Sequence, residues 1–271
     1  TWVTGITAGA YKKLLTYLGI RKEDISIVDL MQQLAHIHEE VLERLKVDTR
    51  GLSPNPPSTW KLRIQEEGNY EYFIDEWRIK WKMPKQSGHY FDLYQSPLEG
   101  EISKQNINQY PWPNPKDAVR IEGLKEKGEE FRKKGKVVVG EPIWAGFFES
   151  SFWLRGFERF YLDLASSPSL ACYLMDKLLE IRMAYWEMFL KYLGEYCLVV
   201  REGDDLGAQD TTMISPEMYR KYVKPRHKKL FSHIKKLAPH CYIFLHSCGS
   251  VYDIIPDLIE AGVDILNPVQ V

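Results

Sequence analysis

What the chain lacks narrows the possibilities first. No apolar run approaches the ~18 residues that a membrane-spanning helix needs. Lysine plus arginine (36) balance aspartate plus glutamate (37), so neither a membrane nor a nucleic-acid partner is expected. Cysteine is scarce, four in 271 residues, which is too few for a disulfide framework and suits a reducing, cytoplasmic compartment. There is no internal repeat, and no basic segment leading into an apolar one of the secretory kind. What remains, 44% hydrophobic and 27% charged residues, is the composition of a globular chain with one large core. The chain opens on Thr1 and stops at Val271, directly after what reads as a strand and its loop, so native sequence is expected on both sides.

Hydrophobic spacing sets the expected elements. Ala8–Gly19 and Asp29–Leu45 carry apolar residues at the helical period. His36 and His38, two apart on the second of these helices, face different directions and read as surface or partly buried residues rather than metal ligands. Residues 59–82 instead alternate apolar and polar around Gly68-Asn69, a β-hairpin or meander inserted into the main fold. Met83 to Pro115, rich in proline, glycine, serine and asparagine, reads as an irregular loop of lid type. A βα rhythm follows: helix 116–134, strand Lys136–Gly140, helical region 156–194, strand Cys197–Arg201, helix 215–238, strand Cys241–Leu245, helix 250–260 and strand Val263–Leu266. Such alternation predicts an α/β fold with a parallel sheet, a TIM (β/α)8 barrel occupying residues 1–271 as a single domain with its last units missing.

In that fold chemistry gathers where strands end. The predicted strands release Glu141, then Asp204, Asp205 and Gln209, then His246 and Cys248, then Asn267 and Gln270. His246-x-Cys248 is the sharpest pattern: residues two apart at a strand end project to one side, and imidazole plus thiolate is a zinc donor pair. Taken alone the same pair could be packed core. Cys172, Cys197 and Cys241 read as small buried hydrophobes, which puts a third zinc donor beyond Val271. Asp204 and Asp205 have two readings, a carboxylate working as base or substrate clamp and a loop or helix cap; adjacent strand residues face oppositely, so at most one of them faces a pocket. Glu141 and Glu149 are weaker substrate contacts, because a loop carboxylate is often only solvated. Phe147, Phe148, Phe152 and Trp153 fit core packing better than a ligand wall.

The segments GDDLGAQDTTMISPEMYRKYVKP (203–225) and HSCGSVYDIIPDLIEAGVDILNPVQ (246–270), with AYKKLLTYLGI (10–20) and LRGFERFYLDLASSP (154–168), resemble the uroporphyrinogen decarboxylase superfamily. The resemblance is nearest to its zinc-dependent corrinoid methyltransferase branch, in which an H-x-C pair and a distant cysteine hold zinc. It implies His246 and Cys248 as metal ligands. The strand exits themselves offer Asp204 and Asp205 as candidate catalytic carboxylates and Glu141, Gln209, Asn267 and Gln270 as candidate substrate contacts. Gln270 stands near the position where the zinc methyltransferase that makes methionine without cobalamin carries a glutamate ligand, so the resemblance to that enzyme fails at this ligand. The implied activity moves a methyl group from a partner corrinoid protein to a thiol or similar small acceptor. Two alternatives stay open: a cofactor-free decarboxylase of a uroporphyrinogen-like substrate, whose N-terminal arginine-rich motif is not visible here, and a non-catalytic corrinoid-binding barrel.

Overall fold

A computed structural model describes residues 5–22, 24–268 and 270. Helix α1 (Ala8–Leu18) starts on Thr7, whose hydroxyl accepts the Ala10 N–H, and ends at Gly19 in the left-handed conformation. The single helix expected over Asp29–Leu45 is not formed. Strands β1 (Ile27–Asp29) and β2 (Leu34–Ala35) pair antiparallel there, and only α2 (Glu39–Arg44) is helical. The run LMQQLAHI offers apolar spacing that two turns of helix and a short hairpin can both satisfy, and Gln33, with φ at 56°, takes the turn. His38 lies against α1, its Nδ1 2.9 Å from the Tyr11 hydroxyl, and meets the His36 ring edge-on at 6.3 Å.

Strand β3 (Thr49–Leu52) was not legible in its four mixed residues. The predicted insertion is present and longer than 59–82: β4 (Gln65–Glu67), β5 (Tyr70–Ile74), β6 (Lys80–Pro84) and β7 (Asp92–Gln95) form an antiparallel meander that turns at Gly68-Asn69. The loop predicted from Met83 to Pro115 therefore contains β7, and also α3 (Lys104–Gln109). Strand alternation divides the meander. Phe73 and Trp81, paired across β5 and β6, are buried, whereas Tyr72 and its partner Lys82 lie on the other face.

Then come α4 (Leu124–Lys133), β8 (Val137–Gly140), α5 (Phe147–Arg155), α6 (Phe157–Ser166), α7 (Pro168–Leu193) and β9 (Cys197–Gly203). The expected 156–194 helix is broken at Ser167, and Pro168 opens α7, where its missing N–H costs nothing. The predicted helix 215–238 is α8 (Pro216–Met218), a π-helical turn Tyr219–Val223, and α9 (Lys224–Leu237). Strand β10 (Tyr242–His246), α10 (Ile255–Ala261) and β11 (Ile265–Asn267) complete the order.

Strands β3, β8, β9, β10 and β11 lie side by side in chain order, and every neighbouring pair is parallel. That is the α/β arrangement of successive (β/α)8-barrel units, with five strands among the described residues. One hydrophobic core joins this sheet to its helices and to the meander, since Phe73, Trp77 and Trp81 pack into the same cluster as Trp186, Phe189 and Val200. Each such large side chain contributes roughly 1.5–3 kcal/mol on burial. The meander is thus fastened to the barrel by its tryptophans.

Candidate metal and substrate site

Parallel register decides which residues meet. His246, last in β10, is level with Gly203 of β9 and Asn267 of β11. Its Nδ1 lies 2.9 Å from Asn267 Oδ1, an atom that can only accept, so Nδ1 donates and the neutral ring in this tautomer presents a lone pair at Nε2. That nitrogen is 3.3 Å from Cys248 Sγ and 3.9 Å from Asp205 Oδ1. The Cys248 backbone N–H donates to the same Asp205 oxygen at 2.8 Å. Donor atoms of Asp205, His246 and Cys248 all fall within 4.8 Å of one another. The third donor placed beyond Val271 by sequence reasoning thus has a counterpart inside the chain, delivered by the neighbouring strand.

The adjacent aspartates part company. Asp204 turns inward and is buried; it accepts the N–H groups of Phe148 (3.2 Å) and Glu149 (2.7 Å) at the start of α5 and lies 3.1 Å from His227 Nε2. His227 is held in turn by the Tyr219 hydroxyl, 3.1 Å from its Nδ1. Gly146 makes this docking possible, because a Cβ there would stand 2.2 Å from Asp204 Cγ. Asp204 therefore fixes α5, the capping reading, while Asp205 faces the cavity. Nothing in a lone helical histidine such as His227 signals this link.

The cavity has a volume of about 240 Å³ and is walled by Trp144, Trp153, Met31, Asp29, Glu149 and Arg201 together with the three donors. The two tryptophans are braced by the meander: Trp77 stacks on Trp144 at 4.5 Å, and Trp81 meets Trp153 edge-on at 5.3 Å. Burial pushes the Glu149 carboxyl well above its usual range, with Asp205 and Asp204 adding to the effect. The Cys248 thiol is pushed up to about 11, first by loss of water on its cavity side and then by the Asp205 and Glu149 charges. Three donors with surplus negative charge suit a cation, which would reverse the effect on the thiol.

The other predicted contacts lie elsewhere. Glu141 is buried and ion-paired with Arg201, and it borders a different cavity of about 460 Å³ beside Arg50 and Gly51. Gln209 and Gln270 hold each other at the rim, with Gln270 Nε2 3.2 Å from the Gln209 carbonyl oxygen. Asn267 supports His246 instead of lining the cavity. Sequence reasoning missed Arg201 because it ended the strand there. Strand β9 continues to Gly203, and alternation along it sends Glu202 outward to Arg182 and Trp186 on α7 and Arg201 inward.

Comparison with known proteins agrees with this architecture. Residues 148–268 match the model of the uroporphyrinogen decarboxylase (URO-D) family. The chain is 24% identical over 164 residues to a methylated-thiol–coenzyme M methyltransferase of Methanosarcina mazei, covering 56% of this chain and 42% of that protein. It thus spans less than half the length of that relative. A solved methyltransferase structure from Methanosarcina mazei superposes with a TM-score of 0.55 at 14% identity, over 94% of this chain and 74% of the other. That likeness shows the fold. The resemblance to the uroporphyrinogen decarboxylase superfamily, on its methyltransferase side, is borne out.

Proposed function

We propose that this chain is a methyltransferase in which Asp205, His246 and Cys248 hold a zinc ion that activates a thiol acceptor, the methyl donor being a corrinoid on a partner protein. The observation that carries this reading is the convergence of one imidazole nitrogen, one sulfur and one carboxylate oxygen within 4.8 Å at the mouth of adjacent parallel strands. A catalytic zinc site typically has three protein ligands and one open position. When bound, the ion supplies a charge that keeps a thiol deprotonated near neutral pH, against an ordinary pKa near ~8.5.

The rest is done by the chain. Asn267 holds the His246 ring with Nε2 toward the cavity, and the Cys248 N–H holds Asp205. Trp144 and Trp153 form an apolar wall beside the acceptor. A corrinoid docked at the mouth would supply the methyl group: the acceptor thiol would first lose its proton to solvent beside Asp205, His246 and Cys248, and its sulfur would then take the methyl, the electron pair of the broken bond leaving with the donor. Metal analysis of purified protein tests the reading: about one equivalent of zinc is expected. Less than about a tenth of an equivalent, or full zinc content in both His246→Ala and Cys248→Ser, removes it.

A further inference from the structure

Five arginines are buried: Arg50, Arg120, Arg155, Arg182 and Arg201. In the first four, terminal guanidinium nitrogens donate to protein acceptors: Arg50 to Glu39 and two carbonyls, Arg120 to Glu76, Arg155 to the Leu98 carbonyl, and Arg182 to Glu202 and the Ala145 carbonyl. Arg201 differs. Its Nε donates to Glu141, and its Nη1 and Nη2 have no hydrogen-bond partner among the described residues. It is 7% exposed and is the one lysine or arginine on the wall of the 240 Å³ cavity among the described residues.

Gly203 explains how the guanidinium reaches the donors. It follows Arg201 by two on the same face of β9. A Cβ built on it would lie 3.3 Å from Arg201 Nη1 and 3.7 Å from His246 Cβ. The arginine head occupies the space a side chain would fill, beside the imidazole. A planar guanidinium with its outer edge bare is a fork for a two-oxygen anion. The Nη atoms are not among the fully buried unpartnered atoms of the described residues, so the edge opens onto the cavity, where a ligand can reach it.

We infer that Arg201 is an anion subsite, its Nη1–Nη2 edge binding the carboxylate or sulfonate of a small molecule whose other end reaches Asp205, His246 and Cys248. That this other end is a thiol rests on the function proposed above. The volume supports a small ligand, since drug-sized pockets run to about 300–1,000 Å³. Glu141, on the Nε side, keeps the guanidinium aimed and neutralises it between turnovers. Of the acids on the wall, Glu149 and Asp205 lie toward the donor cluster, while Asp29 is close enough to Arg201 to feel its charge, so an anion at the guanidinium edge would share it with Asp29 as well as with Glu141. The arrangement sorts acceptors by the charge they carry away from the reacting atom.

Calorimetric titration tests this in two arms. In the first, metal-free protein is titrated with propionate and with ethanesulfonate, comparing wild type with Arg201→Gln/Glu141→Gln, a pair of changes that leaves no unpaired carboxylate. At least about tenfold weaker binding is expected in the variant, and the better of the two anions identifies the head group. In the second, zinc-loaded wild type should bind 3-mercaptopropionate about tenfold more tightly than 2-mercaptoethanol, and the variant should lose that preference while binding 2-mercaptoethanol as before. Anion binding that is absent or equal in both proteins overturns the subsite. Arg201-dependent anion binding without proton release from either thiol leaves the subsite standing and overturns thiol activation. Should the double variant not fold, Arg201→Lys keeps a charge for Glu141 but removes the planar fork, and a loss of the preference for the anionic thiol is again expected.

Discussion

Two places in this molecule gather a carboxylate among tryptophans, and they are finished differently. In the meander, Asp75 accepts the Trp77 and Ile79 N–H groups at 2.9 Å and the Trp81 indole N–H at 2.8 Å. At the barrel mouth, Asp205 accepts a single backbone N–H, His246 Nε2 and Cys248 Sγ have each other at 3.3 Å, and the Arg201 Nη atoms have no hydrogen-bond partner among the described residues. A polar cluster whose groups satisfy one another is architecture; one whose groups converge and stay underused is prepared for something else. The two are connected, because Trp81 is bonded to Asp75 and braces Trp153 of the cavity wall.

The contrast is broken most forcefully by exchanging the damage. His246→Ala should weaken zinc binding by more than ~100-fold and leave the melting temperature of the metal-free protein within a few degrees, since no core packing is lost. Equilibrium dialysis and a thermal melt together read this, and a collapse of the melt would show that the rim is structural too. Asp75→Ala should do the reverse. Two buried N–H groups and an indole lose their acceptor, costing about 3 kcal/mol of stability at one or more kcal/mol for each orphaned donor, with metal affinity changed less than about twofold. A zinc loss as large as that of His246→Ala would mean the meander belongs to the site.

Asn267→Ala sharpens the comparison from within the rim. It frees the His246 ring without removing a ligand, so zinc should bind roughly 10–100-fold more weakly, with the pH dependence of binding altered because the tautomer is no longer set. A further test is on pH. Burial pushes the Asp75 carboxyl up to about 7, against the opposing hydrogen bonds of Trp81, Ile79 and Trp77. The folded state therefore holds this proton more tightly than the unfolded chain, whose aspartate titrates near ~3.9. The cost of charging Asp75 is absent below that value, grows as pH rises and is complete above about 7. Metal-free protein should thus have a higher urea midpoint at pH 5 than at pH 8 from this group, a difference that Asp75→Asn should remove.

How far residues alone led can be judged at single positions. His246 and Cys248 were legible because their types and spacing suffice: a strand end throws i and i+2 to one side wherever it sits. The βα rhythm after residue 116 was legible for a similar reason, as each apolar strand is short and its flanks are marked. Asp29–Leu45 misled because the apolar spacing of a short hairpin matches that of a helix over so few residues. Strand β3 was missed because a neighbour, β8, and not its own composition, makes it a strand.

For the candidate site, the sequence by itself determined the donor types, the exits that carry them and the rule that Asp204 and Asp205 point apart. Which aspartate faces in, which strand brings the third donor, and where Arg201 goes were decided by tertiary structure. The reason is register. Placing Gly203 level with His246 is a property of two hydrogen-bonded strands 43 residues apart, and no local pattern encodes it. The same parallel pairing turns a glycine in one strand into room for an arginine beside a histidine in the next.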